Sequence, residues 1–185
     1  IIPNVDDGSN SIEMSLSMLQ KAAQTGITKV VTTTHYNHPY MKERFPDFKK
    51  INIKLDELRK EMLKNNLNIE IHSSAEVYFN ESVLKFIDNK NIIIGDRYIL
   101  IEFDFNFLPK NYEKILYKLQ LLGKTPIIAH PERYKFVQRD YTILKDWIDK
   151  EFIIQISSGS LLKHFGNKSY ELAKKIAYKG NFHLI

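Results

Sequence analysis

Apolar and polar positions along the chain follow two alternating rhythms. Short runs rich in β-branched and aromatic residues occupy 28–35 (TKVVTTTH), 68–76 (NIEIHSSAE), 97–103 (RYILIEF), 125–130 (TPIIAH), 151–159 (EFIIQISSG) and 181–185 (NFHLI). Runs of that length and composition predict strands. Between them apolar residues recur at spacings of three and four, the period of a helix with one buried face. Ile12, Leu16, Leu19 and Ala23 share such a face, with Asn10 and Glu13 as a capping box and Gly26 as the stop. Phe48, Ile51, Leu55, Leu58 and Met62 form a second stripe. Ile115, Leu119 and Leu122 form a third that ends at Gly123, and Leu172, Ile176 and Ala177 a fourth that ends at Gly180. Strands alternating with helices imply βα units and a parallel sheet. With no repeat, low-complexity tract or Gly/Ser linker, the pattern predicts one α/β domain over 1–185, either an open doubly wound sheet or a closed barrel. No Gly-rich phosphate loop follows a strand, which argues against a dinucleotide-binding sheet.

Composition narrows the classes. The 185 residues are long enough for one sizeable core, and 43% apolar with 26% charged is ordinary for a globular domain. No apolar run nears the ~20 residues that span a bilayer. The absence of cysteine excludes disulfides and thiolate metal sites, and a reducing cytoplasmic setting is compatible with it. The net charge of +5 comes from lysines such as Lys49, Lys50, Lys54, Lys60 and Lys64, spread along a helical stretch. That spacing reads as a solvated helix face and not as a nucleic-acid surface. The chain opens on Ile1 and stops inside an apolar run, so residues are expected to be missing at both ends.

The chemistry gathers at strand ends. VVTTTH ends in His35, IEIHSSAE in Glu76, YILIEF carries Glu102 near its end, and PIIAH ends in His130. In βα folds the C-terminal ends of parallel strands are where sites are built, because the βα loops converge there. NVDDGSN adds Asp6 and Asp7 just before the first helix. Each residue alone has an ordinary reading as a surface histidine, a paired carboxylate or a turn aspartate; their coincidence on four strands favours a site. Burying Glu102 between Ile101 and Phe103 without a partner would cost several kcal/mol, a cost that a metal or another cation removes. Imidazole and carboxylate ligands without sulfur suit Mn, Fe, Zn or Co. Metals a few Å apart activate water and neutralise a phosphate ester, and Arg133, three residues after His130, offers a planar fork for phosphate. Spacing alone therefore points to a multinuclear metal hydrolase.

IIPNVDDGS, TTTHYN, AEVYF, DRYILIEF, PIIAHPER and SSGSLLKHFG, in that order through nearly the whole chain, resemble the PHP-domain protein-tyrosine phosphatases of bacterial capsule and exopolysaccharide loci, the CpsB/CapC type. DRYILIEF together with AHPER is the most specific part. The resemblance implies a distorted (β/α)7 barrel holding three metal ions, usually Mn, with Fe and Zn sharing the same ligands. It implies metal ligation by Asp7, His35, Glu76, Glu102 and His130, and phosphate binding by Arg133. Metal-activated water would be the nucleophile. The implied substrate is the phosphotyrosine tail of a cognate bacterial tyrosine autokinase that controls polysaccharide export. That family also carries a His-x-His motif before the position of Ile1, and an Asp-x-His motif with a further arginine after that of Ile185. This chain holds neither motif. Two other readings stay open: a PHP phosphoesterase on a small phosphomonoester such as histidinol phosphate, and an inactive, metal-poor binding module. Nucleic acid is not an expected partner, no transmembrane segment is expected, and oligomeric state is not specified.

The remaining histidines read as structural or surface residues: His38 on the surface, with contact to substrate as the alternative, His72 within a strand, His164 and His183 in structural roles. The segment 36–48, YNHPYMKERFPDF, is aromatic and basic. It reads as a wall that accepts a phosphotyrosine ring, or as a cover over the barrel rim.

Overall fold

The computed structural model describes residues 1–41 and 43–185; Lys42, inside the 36–48 segment, lies outside them. Two compact units are present, Ile1–Ala75 and Glu76–Ile185.

In the first unit, α1 (Ile12–Gln24) is followed by β1 (Lys29–Tyr36), α2 (Phe48–Lys64) and the opening of β2 (Glu70–Tyr78). The predicted cap of α1 shifts by one residue. Ser11, not Asn10, is the N-cap, and its side chain accepts the Met14 N–H, since a serine at that position reaches the free amide of the first turn. The second stripe holds in full: Phe48, Ile51, Leu55, Leu58 and Met62 are all buried. α2 packs against α1, whose Leu19 is fully buried.

In the second unit the rest of β2 pairs in parallel with β3 (Tyr98–Glu102), β3 with β4 (Thr125–Ala129), and β4 with β5 (Ile153–Gln155). Within this unit the hydrogen-bonded strand order is β2-β3-β4-β5. The last four residues of β3 and of β4 are all buried, as expected of central parallel strands covered on both faces. Register places Leu100 beside Ile127 and Ile127 beside Ile153. Leu100, Ile127 and Ala129 form one buried face, and a slip of one residue would turn all of them to the other side. Phe103, Tyr134 and Trp147 are fully buried in an aromatic cluster, with Phe103 stacked on Trp147 at 5.6 Å between ring centroids.

Three expectations need correction here. The run 151–159 yields only the three-residue β5, because the small polar stretch after it folds into α6 (Ser158–Leu161) with Ser157 as N-cap. The run 181–185 is not a strand; it makes one isolated bridge, Gln155 to Leu184. The His183 side chain takes the Ile154 N–H at 3.0 Å, using the donor that a regular ladder would need. Leu122 is 56% exposed and not part of the buried stripe of α3 (Tyr112–Leu121), which is carried by Ile115, Leu116 and Leu119. Two helices were not predicted, α4 (Lys135–Arg139) and α5 (Thr142–Asp149); they bury Phe136, Val137, Leu144 and Trp147. The chain closes with α7 (Gly166–Tyr178).

Candidate metal centre

In the second unit the parallel register builds a site at the strand ends. Glu76 is aligned with Leu100, and Tyr78 with Glu102. Aligned residues, and residues two apart on one strand, share a face of the sheet. Glu76 and Glu102 therefore emerge on the face that carries Leu100, at its C-terminal edge. Ile101 pairs with Ile128, so β4 ends level with Glu102 and hands the next position to His130. His130 Nε2 lies 3.0 Å from Glu76 Oε1 and 3.5 Å from Glu102 Oε1, and the three side chains are only 10%, 14% and 4% exposed. Two acceptor-only carboxylates and a ring nitrogen thus converge on one point.

The backbone contributes strain. His130 sits in the left-handed region at φ 33°, ψ 56°. For a residue with a Cβ this costs about 1–2 kcal/mol, and Pro131 disfavours the ordinary helical alternative. Strained residues that persist gather at functional sites. Behind the ring, Tyr134 is fully buried and its hydroxyl accepts the Phe103 N–H at 3.0 Å. Burial, reinforced by the nearby Glu102 charge, holds that phenol well above its usual range. His130 Nδ1 is buried without a hydrogen-bond partner among the described residues.

Arg133 closes the 3-10 turn Pro131–Arg133, its N–H bonded to His130 O at 3.0 Å. Its guanidinium carbon lies 4.7 Å from the Phe105 ring centroid and 4.1 Å from that of Phe165. No ion pair or side-chain hydrogen bond to another described residue occupies its N–H donors.

In the first unit Asp6 Oδ2 accepts the His35 backbone N–H at 2.7 Å and lies 2.6 Å from His35 Nδ1. Burial works to raise the Asp6 pKa, but the side-chain and backbone bonds from His35 outweigh it and hold the carboxyl below its usual range. Asp6 is itself left-handed at φ 57°. Ligand atoms of Asp6, Asp7 and His35 fall within 4.8 Å of one another. Sequence reasoning selected Asp7 and left Asp6 aside; the DDG pair signalled both, and only the contact with His35 separates them.

His38 is 7% exposed and its Nδ1 accepts the Tyr40 N–H at 3.2 Å, so the surface reading is corrected: the turn after β1 folds the ring inward. His72 is exposed and bonds Glu70 at 2.7 Å, and His164 is exposed. The 36–48 segment is tied by the Asn37 N–H to Arg44 O at 2.7 Å and by Arg44 Nε to the Asn37 side chain at 2.8 Å. A cavity of about 310 Å³ lies beside it, lined among others by Asp6, His35, Met41, Pro46, Lys50 and Lys54.

Both groups of side chains offer donors of the kind a divalent cation takes. Their donors are carboxylate oxygens and imidazole nitrogens, without sulfur, a set suited to Mn, Fe or Zn. In the second unit they are mostly buried, where carboxylates without a cation would be costly.

Against known protein families, residues 1–185 match the one described as capsular polysaccharide synthesis, CpsB/CapC. The chain belongs to the CpsB/CapC family. CapC of Staphylococcus aureus is 34% identical over 187 aligned residues, which take in all of this chain and 72% of that protein. The tyrosine-protein phosphatase YwqE of Bacillus subtilis (strain 168) is 28% identical with the same coverage. The tyrosine-protein phosphatase CpsB of Streptococcus pneumoniae is 30% identical over 96% of this chain and 73% of its own length. A chain from the crystal structures of YwqE and the pneumococcal CpsB, described as unique metal-dependent tyrosine phosphatases, superposes with a TM-score of 0.85. That match is 28% identical and covers 98% of this chain and 73% of that one. The resemblance carried by DRYILIEF and AHPER is thus membership of the CpsB/CapC family, and the α/β fold with its parallel strands agrees with the superposition. Among the described residues no helix is long and apolar enough to cross a membrane.

Proposed function

We propose that this chain is a metal-dependent protein-tyrosine phosphatase that acts on the phosphotyrosine tail of a bacterial tyrosine autokinase and so regulates capsule or exopolysaccharide synthesis in the cytoplasm. The observation that carries the reading is the convergence of Glu76 and Glu102 on His130, with Arg133 three residues on and its donors uncommitted. Named tyrosine phosphatases among the relatives support it. In this reading residues 1–185 belong to one PHP-type domain, a distorted (β/α)7 barrel. Asp7, His35, Glu76, Glu102 and His130 are metal ligands, and Asp6 orients His35.

Three metal ions, Mn in the first instance, would supply charge neutralisation and water activation at neutral pH. The chain's own residues do the rest. Arg133 presents a planar array of donors to the equatorial phosphate oxygens, whose charge must be stabilised as the P–O bond to tyrosine breaks. The left-handed turn at His130 fixes the imidazole before substrate arrives, so little reorganisation is needed during reaction. The cavity beside the 36–48 segment accepts the aromatic ring, with Met41 and Pro46 as apolar walls. No side-chain nucleophile is required.

The test is phosphate release from a phosphotyrosyl peptide by the protein in its complete reading frame, with and without Mn²⁺ and with a chelator. Histidinol phosphate and a phosphoseryl peptide serve as competitors. Mn-dependent release from the phosphotyrosyl peptide, abolished by the chelator, is expected. A folded, metal-loaded protein that turns over only the small ester, or nothing, would overturn the tyrosine assignment.

A further inference from the structure

We propose that Phe105 and Phe165 form an aromatic clamp that fixes the Arg133 guanidinium for the phosphate, with Gly159 and Glu132 as its seat. The inference rests on Arg133 being the phosphate-binding residue of the proposed phosphatase.

The guanidinium lies over both rings, at 4.7 and 4.1 Å. Cation–π contacts use the π faces, whereas the five N–H donors lie in the guanidinium plane. The two rings offer the N–H donors no carboxylate oxygen, so a guanidinium held against them keeps donors for an oxyanion that a carboxylate partner would occupy instead.

Each ring is tied to the segment that bears Arg133. The carbonyl of Phe105 accepts the Lys135 N–H at 2.8 Å, and Lys135 Nζ donates to Asn106 Oδ1 at 2.8 Å. On the other side, buried Glu132 accepts the Ser157 N–H at 3.0 Å and the Ser160 hydroxyl at 2.6 Å through Oε1, holding the short helix α6. Gly159 lies in that helix. A Cβ placed there would meet the Phe165 ring at 2.8 Å, closer than real Cβ contacts come. The missing side chain at Gly159 is what lets Phe165 settle over Arg133. Phe165 is 43% exposed, so burial of its own surface does not explain its place. The SSGS and HFG parts of the sequence, which supply no ligand, acquire a role as the frame of this clamp.

Phe105, Phe165 and Gly159 are thus positioning residues that act through Arg133. The experiment compares wild type, Phe165→Ala, Phe165→Trp, Gly159→Ala, Arg133→Ala and the double variant Arg133→Ala/Phe165→Ala. The readouts are binding of inorganic phosphate to the Mn-loaded protein by calorimetry, and turnover of p-nitrophenyl phosphate. Phe165→Ala and Gly159→Ala should each weaken phosphate binding about three- to fivefold, the scale of an exposed cation–π contact. Phe165→Trp should restore it. In the Arg133→Ala background the loss of Phe165 should add nothing, an outcome that a general structural role would not give. Additive losses, or phosphate binding unchanged in Phe165→Ala, would overturn the clamp. Failure of the phosphatase reading is separate: wild type would bind phosphate and lose affinity in Phe165→Ala, yet release none from a phosphotyrosyl peptide.

Discussion

Glu132→Ala is the substitution whose cost follows most directly from the geometry. Glu132 is fully buried, and its Oε1 accepts from the Ser157 N–H and from the Ser160 hydroxyl. Truncation removes the acceptor from the half-buried Ser157 amide and from the buried Ser160 hydroxyl. An orphaned buried donor costs about 1–3 kcal/mol. Ser160 can rotate its hydroxyl to another acceptor, but the Ser157 amide is fixed, and the lost side chain also leaves a void. Part of this is offset because Glu132 Oε2 is itself buried without a partner among the described residues. The sum is a destabilisation of about 3 kcal/mol, or a fall in Tm of roughly 6–12 °C for a domain of this size. Glu132→Gln keeps an acceptor at the position of Oε1 and should cost about 1 kcal/mol or less. Thermal and urea denaturation followed by circular dichroism on the three proteins measures both. A melting point for Glu132→Ala within about 2 °C of wild type would refute the reasoning, because the donors would then have found other partners. A Glu132→Gln variant as damaged as Glu132→Ala would show that charge, not acceptor geometry, is what the site needs.

Other outcomes follow from the same structure. His130→Ala and Glu102→Gln should lose bound metal, measured by elemental analysis, together with phosphatase turnover; turnover retained in a metal-free His130→Ala protein would contradict the ligand assignment. Arg133→Lys should keep its metal but lose about tenfold or more in kcat/KM, because a point charge cannot replace a planar fork. Leu58→Ala, at a fully buried position of α2, should cost about 2–5 kcal/mol in denaturant titration. Burial pushes the Tyr112 phenol from 10.0 up to about 12. Because the folded value is the higher one, the stability tied to the neutral phenol is whole below pH 10 and is lost as pH rises toward 12. Discounted for solvent screening of the part-buried hydroxyl, this amounts to about 1–2 kcal/mol, which Tyr112→Phe should abolish; absorbance titration at alkaline pH reads the same delay directly.

Local pattern along the chain encodes the α/β alternation, the stripe from Phe48 to Met62 and the four strand ends that bear His35, Glu76, Glu102 and His130. These are local properties: period two or near four, apolar runs of strand length, and turn glycines such as Gly26, Gly123 and Gly180, all at positive φ. It also carried the family, because DRYILIEF and AHPER are contiguous strings. It did not determine where the last strands stop. β5 ends after three residues because Ser157 starts a helix, and 181–185 fails to pair regularly because the His183 ring takes a backbone donor. Nor did it show that Asp6, beside the selected Asp7, is the carboxylate that bonds His35. The convergence of Glu76 and Glu102 on His130 comes from the parallel register, and the placing of Phe105 and Phe165 over Arg133 from hydrogen bonds between segments some 25–30 residues apart. Those contacts link residues distant along the chain, so no local pattern encodes them; only tertiary structure, which closes the intervening loops, brings the groups within bonding distance.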